Sequence, residues 1–232
     1  VTQFRNSMAL PSNPPQIING GTAPGFVTGD ELESNLDVEW AGAVATQATV
    51  KFVTTASTTT SDGITLSAQY AVNNNIGDVI TVSYGLCEAL MGVSSVNFFN
   101  NLWQQAAAQG QTVVVSSGDS GAAGCDLANA TTATRGLGVN GICTSQHSTC
   151  VGGTQFNDTA SPSTWWSGSN DAGGASALSY IPEVAWNESG TNGGSGLWSS
   201  GGGASTRFNK PSWQNTVGVP ADGRRDVPDV SL

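Results

Sequence analysis

The sequence predicts an α/β fold, a parallel sheet flanked by helices with long Gly/Ser-rich loops in its second half. Three observations carry that prediction. Helix-like and strand-like periodicities alternate as α-β-α-β-α-β through the first half of the chain. That alternation needs right-handed crossovers and a parallel sheet. Two strand candidates, DVITVSYG (78–85) and QTVVVSSGD (111–119), are nearly continuous apolar runs, as strands buried on both faces are. From about residue 122 glycine, serine and asparagine dominate, with short strand candidates such as STCVGGTQF (148–156) and no internal repeat.

The elements follow in order. Residues 28–45 (TGDELESNLDVEWAGAVA) read as a helix. Thr28 and Glu31 form a capping-box pair, and Leu32, Leu36, Trp40 and Ala43 recur at helical spacing. ATVKFVTT (48–55) alternates Val50 and Phe52 with polar neighbours, as a strand does. The next helix has Asp62 as its N-cap and Ile64, Ala68, Ala71 and Val72 on one face. The clearest helix is SSVNFFNNLWQQAAAQG (94–110), with Phe99, Leu102, Trp103 and Ala106 along one side and Gly110 as its C-cap. ESGTNGGSGLWSSGGGAS (188–205) is glycine-rich, but its tryptophan argues against a free linker. VTQFRNSM reads as the middle of an element, and VPDVSL stops on an apolar strand-like run. The expectation is one domain over 1–232, cut at both ends.

Hydrophobic residues make up 38% of the 232, enough for a core, whereas charged residues make up only 10%. The surface is therefore covered by neutral polar groups. The formal charge of −10 argues against nucleic acid or anionic membranes as partners. Few ion pairs suit a protein working in acid, because ion pairs fail as carboxylates protonate. Four cysteines without C-x-x-C spacing and a single histidine argue against structural zinc. The even count favours a secreted protein with one or two disulfides. Asn129, Asn157 and Asn187 open glycosylation sequons. No apolar run reaches membrane-spanning length.

In open α/β sheets ligands bind beyond the carboxyl ends of the strands. Two such ends are VSYG (82–85) and SSGDSG (116–121). Gly-Asp-Ser-Gly surrounds the nucleophile of trypsin-like proteases, and the strand context also resembles a hydrolase nucleophile elbow. Those proteases are built from antiparallel barrels, however. The sole histidine, His147, follows Ser120 too soon for the acidic residue and strands that should intervene. Ser120 therefore reads as a turn residue between Gly118 and Gly121. Asp119 in the same turn is either an Asx-turn acceptor or a protonated acid that stabilises an oxyanion. Glu33 and Asp37 lie at i, i+4 on one helical face. They are either a solvated face or a coupled pair sharing a proton, a general base and its support.

The motifs, taken together, resemble the sedolisin family of serine-carboxyl peptidases, the kumamolisin-like proteases. They are ESNLDVEW (33–40) for the family's E-x-x-x-D helix, ITVSYGLCE (80–88) for its substrate strand, and VVVSSGDSGAAG (113–124) for its oxyanion aspartate. CVGGTQF (150–156), SGGGASTRFNKPSWQ (200–214) and RRDVPDVSL (224–232) follow in the family's order. The resemblance implies a subtilisin-like parallel sheet and acid endopeptidase activity through a Ser-Glu-Asp triad. It implies Glu33 as general base, Asp37 as its hydrogen-bonded support and Asp119 as the oxyanion acid, with activity falling as Asp119 loses its proton. It implies Ser83, Tyr84 and Gly85 as backbone partners of a peptide substrate. The family nucleophile lies in Gly-Thr-Ser, which does not occur here. The resemblance therefore places the serine, and the family's calcium site, outside this chain, in a missing segment or a second polypeptide. It also places the first sheet strand and the propeptide outside it. A local disulfide, Cys125–Cys143, is expected where the segment before CVGGT departs from the family pattern. The alternatives are a non-catalytic peptide- or glycan-binding relative, and an ordinary hydrolase using Ser120 and His147.

Overall fold

A computed structural model describes residues 1–232. It divides into two units, Val1–Ser83 with Gln104–Val113, and Tyr84–Trp103 with Val114–Leu232. The first contains α1 (Thr2–Ser7), β1 (Gln16–Asn19), α2 (Glu31–Val44), β2 (Lys51–Thr54), α3 (Gly63–Asn73) and β3 (Val79–Val82). β1 had no counterpart among the expected elements. It runs parallel to β2, Gln16 beside Lys51 through Asn19 beside Thr54.

α3 begins as expected: the Asp62 carboxylate accepts from the Thr65 N–H (2.8 Å), and Ala68, Ala71 and Val72 are buried. Gly63 is required there, since a Cβ would lie 2.2 Å from the Thr55 carbonyl. α2 differs from expectation. It starts at Glu31 after Asp30, with no side-chain cap, so the Thr28 capping box does not form. Leu32 is 80% and Trp40 53% exposed, and the buried positions are Val38 and Gly42. The reason lies in α1. The buried Arg5 guanidinium donates to the Gly42 carbonyl (3.0 Å), and a Cβ on Gly42 would meet it at 2.9 Å. The missing side chain at Gly42, rather than the leucine stripe, sets the packed face.

α4 (Glu88–Ala108) contains a non-helical residue, Gly92 at φ 73°, so a short first turn precedes the expected helix. Its end is a Schellman motif: Gln111 N–H donates to the Ala106 carbonyl and Gly110 N–H to Ala107, with Gly110 at φ +82°. β4 (Thr112–Ser116), β5 (Thr149–Gly152), β6 (Thr154–Phe156), β7 (Glu183–Ala185), β8 (Gly203–Asn209), β9 (Arg224–Val227) and β10 (Val230–Ser231) follow. β4, β5 and β10 run parallel in the order β10-β5-β4, so VPDVSL does enter a strand. β6 pairs with β7 and β8 with β9, both antiparallel. β3 is less enclosed than its apolar run predicts: Ile80 and Val82 are buried, but Val79 is 65% exposed.

The core of the second unit gathers Val96, Phe99, Leu102, Trp103, Val115, Ile142 and Cys150. Trp103 is wholly buried, and its indole N–H donates to the Ile142 carbonyl at 2.9 Å. All four cysteines are bridged, as Cys87–Cys125 and Cys143–Cys150. The expected Cys125–Cys143 bond is therefore corrected. Cys125 follows the turn after β4, where Ala123 bridges Gly138 and Cys87 bridges Asn140, so its sulfur meets Cys87. Trp103→Ala removes the largest buried side chain and its hydrogen bond, and should cost about 3–5 kcal/mol. A urea titration that leaves the midpoint unchanged would contradict this view of the core.

Candidate active site

Glu33 and Asp37 both lie on α2, one turn apart. Ser83, the first residue after β3, meets them there. Its hydroxyl donates to Glu33 Oε1 and also hydrogen-bonds to Asp37. The three form a cluster within the first unit. Asp37 is half-buried, and its carboxyl is pushed up from 3.8 to about 6. Dehydration is the main cause and the charge of Glu33 the second, while the Ser83 hydrogen bond works in the opposite direction. The raised Asp37 carboxyl therefore keeps its proton into mild acid. Ser83 was expected to act through its main chain alone; its side chain engages the carboxyl pair.

Asp119 lies in the turn after β4, in the second unit, and is exposed. Gly118 (φ +105°) and Gly121 (φ +55°) take conformations closed to most side chains. The SGGG segment closes on this turn: Ser199 N–H donates to the Asp119 carbonyl (3.0 Å) and Gly201 N–H to Gly118 (2.7 Å). A Cβ on Gly201 would lie 2.3 Å from the Ser117 carbonyl, so only glycine allows the approach. Ser120 is buried, and its hydroxyl donates to the Asp126 carbonyl at 3.0 Å. The His147 ring lies beside the Gln146 amide. Neither residue is arranged as a nucleophile with its base, and Ser120 is a turn residue.

Two further residues organise this unit. The Asn140 amide donates to the carbonyls of Tyr84 (3.0 Å) and Ser116 (2.8 Å). Its oxygen accepts from the N–H groups of Leu86 and Ile142, both at 3.0 Å. One buried side chain therefore fixes Tyr84–Leu86, around the exposed Gly85, to the end of β4. Glu88 is also buried. It accepts from Ser205 Oγ (2.5 Å), Thr206 N–H (2.6 Å) and Thr206 Oγ1 (2.7 Å). It thus ties the first turn of α4 to β8, just beyond SGGG. Neither residue carries a local signal, because every one of these partners except Ile142 is distant in sequence. No three His, Cys, Asp or Glu side chains cluster as a metal site.

A carboxyl raised in the folded state binds its proton more tightly folded than unfolded. The stability from Asp37 is therefore complete below about pH 4 and lost as pH rises through about 6. Allowing for partial exposure, that loss is about 1–2 kcal/mol. Asp37→Asn should accordingly gain stability relative to the native chain between pH 4 and 7, read from urea midpoints. Parallel profiles would contradict the raised carboxyl.

No family model matches the chain. It is 33% identical to sedolisin of Pseudomonas sp. (strain 101) over 239 residues, covering 99% of this chain and 37% of that protein. It is 31% identical to xanthomonalisin of Xanthomonas sp. (strain T-22), covering 75% of this chain and 21% of that protein. It is 30% identical to kumamolisin of Bacillus sp. (strain MN-32), covering 89% of this chain and 34% of that protein. The solved structure of Pseudomonas sedolisin, a serine-carboxyl proteinase complexed with two molecules of pseudo-iodotyrostatin, matches with a TM-score of 0.75 and 31% identity. That match covers 99% of this chain and 59% of the solved one. The chain thus spans between a fifth and two fifths of the curated relatives.

Proposed function

Because the chain belongs to the sedolisin family, we propose that it carries the carboxyl half of an acid-acting serine-carboxyl endopeptidase. The serine is supplied by polypeptide outside these residues, either the remainder of the gene product or a second chain. The observation that supports this most is the Glu33–Asp37 pair held on Ser83, with Asp37 raised to about 6.

In this reading Glu33 takes the proton from the serine hydroxyl as its oxygen bonds to the scissile carbonyl carbon. The C=O π electrons move to the carbonyl oxygen. Asp119, protonated in acid, donates a hydrogen bond to that developing oxyanion. Glu33 then returns the proton to the leaving amine as the C–N bond breaks. Water repeats the sequence on the acyl-enzyme. Asp37 supports Glu33 throughout. Ser83, Tyr84 and Gly85 hold an extended peptide by main-chain pairing, and Asn140 keeps Tyr84–Leu86 in shape. In this reading the calcium that the family resemblance implies is held by polypeptide outside these residues. Secretion belongs to the same reading, since two disulfides persist in an oxidising compartment. No helix is long and apolar enough to cross a membrane.

The test is hydrolysis of denatured protein by the gene product in acid. Glu33→Gln should lower kcat by roughly 10²–10⁴-fold. Asp119→Leu, which cannot donate a hydrogen bond, should lower it by roughly 10²–10³-fold. Ser120→Ala should stay within about twofold on the same scale. The reverse order of damage would replace this reading with the Ser120 hydrolase.

A further inference from the structure

The Asn140 carboxamide lies between two segments of the second unit that the peptidase reading uses together. One is Tyr84–Leu86, where the substrate main chain pairs. The other is the end of β4, which leads into the turn carrying Asp119. A single amide nitrogen reaches both, donating to the Tyr84 carbonyl at 3.0 Å and the Ser116 carbonyl at 2.8 Å. Two carbonyls bonded to one nitrogen at such lengths lie no more than about 6 Å apart. The Asn140 oxygen accepts from the N–H groups of Leu86 and Ile142. A primary amide has two donor hydrogens and two acceptor lone pairs. All four are used here, and Asn140 is 4% exposed.

The amide has no room to withdraw. Its own segment is fixed to the start of α4, with the Glu88 N–H donating to the Val139 carbonyl (2.9 Å) and the Gly141 N–H to the Leu86 carbonyl (2.8 Å). A Cβ on Gly141 would lie 2.8 Å from Glu88 Cα, and one on Gly85 would lie 3.4 Å from the Asn140 amide nitrogen. In the peptidase reading one substrate residue pairs its main chain with Tyr84 and Gly85 while its scissile carbonyl oxygen meets Asp119. The side chain of that residue, on the acyl side of the bond, then enters the space between Tyr84–Leu86 and Ser116–Gly118. Asn140 already spans that space. We propose that Asn140 is a specificity-determining residue: it closes a shallow acyl-side subsite that takes Gly, Ala or Ser and turns away large side chains. With every polar atom of the amide committed, it offers no partner to a charged or amide side chain either. A side chain that pushed it aside would strip four main-chain groups of their partner at once, and that penalty outweighs one added apolar contact.

The subsite rests on the peptidase reading, and the experiment separates the two. Denatured protein is digested by the gene product in acid, and the cleaved bonds are read by mass spectrometry. The native protein should cut mainly after Gly, Ala or Ser. Two peptides that differ only in Ala or Phe on the acyl side of a single cleaved bond then give a ratio of kcat/KM. Ala should be favoured by about tenfold or more. Asn140→Gly and the milder Asn140→Ser shorten the side chain, and should move that ratio toward Phe by about tenfold. Damage that is only structural lowers both substrates together and leaves the ratio in place. Native cleavage mainly after large side chains would overturn the proposal whether or not the variants fold. An unmoved ratio in a variant that retains activity would overturn it as well. If Glu33→Gln abolishes hydrolysis in that case, the peptidase reading stands and only the role of Asn140 falls. Hydrolysis that persists in Glu33→Gln removes the reading and the subsite with it.

Discussion

Two carboxyl groups one turn apart on α2 are the constraint on which the first unit depends. Ionised together in water they repel by a few tenths of a kcal/mol. Asp37 is partly dehydrated, and with Glu33 beside it its carboxyl is held well above the usual range. The surroundings serve this state. Val38 and Gly42 turn α2 toward α1, where Arg5 bonds to the helix backbone. The end of β3 brings a neutral hydroxyl, not a cation, to the pair. A lysine or arginine there would bring the Asp37 carboxyl back down.

The second unit is held largely by interactions that acid leaves intact. Glycines let SGGG close on the Asp119 turn through main-chain hydrogen bonds. Asn140 spans four backbone groups with a neutral amide. Two disulfides tie segments that carry few charges. Ion pairs are confined to the last stretch, where Arg225 grips Asp229 and Lys210 meets Asp222 and Asp226. The scarcity of charge in the composition thus has a structural counterpart: order is built from neutral donors and acceptors.

What was legible in the sequence was what local chemistry dictates. Asp62 announced α3, and Gly110 announced the end of α4. The apolar runs located β3 and β4, and the spacing of Glu33 and Asp37 put them on one face. The order of motifs identified the family. What was not legible depends on partners distant in the chain. The buried face of α2 is set by Arg5, which lies 37 residues before Gly42. The cysteine pairing is set by where the turn after β4 lands. Asn140 and Glu88 look ordinary until residues 54 and 117 positions away meet them. The Ser83 hydroxyl is the same case, since its backbone role was read from the motif and its side-chain role needs Glu33, 50 residues earlier.

The account centres on a carboxyl-based acid peptidase, and the pH dependence of kcat/KM for the gene product tests it most directly. Hydrolysis of denatured protein should peak near pH 3–5, roughly the reference range for carboxyl groups. It should fall away toward neutrality as the oxyanion acid loses its proton. Full activity at pH 8 with none at pH 4 would contradict the account.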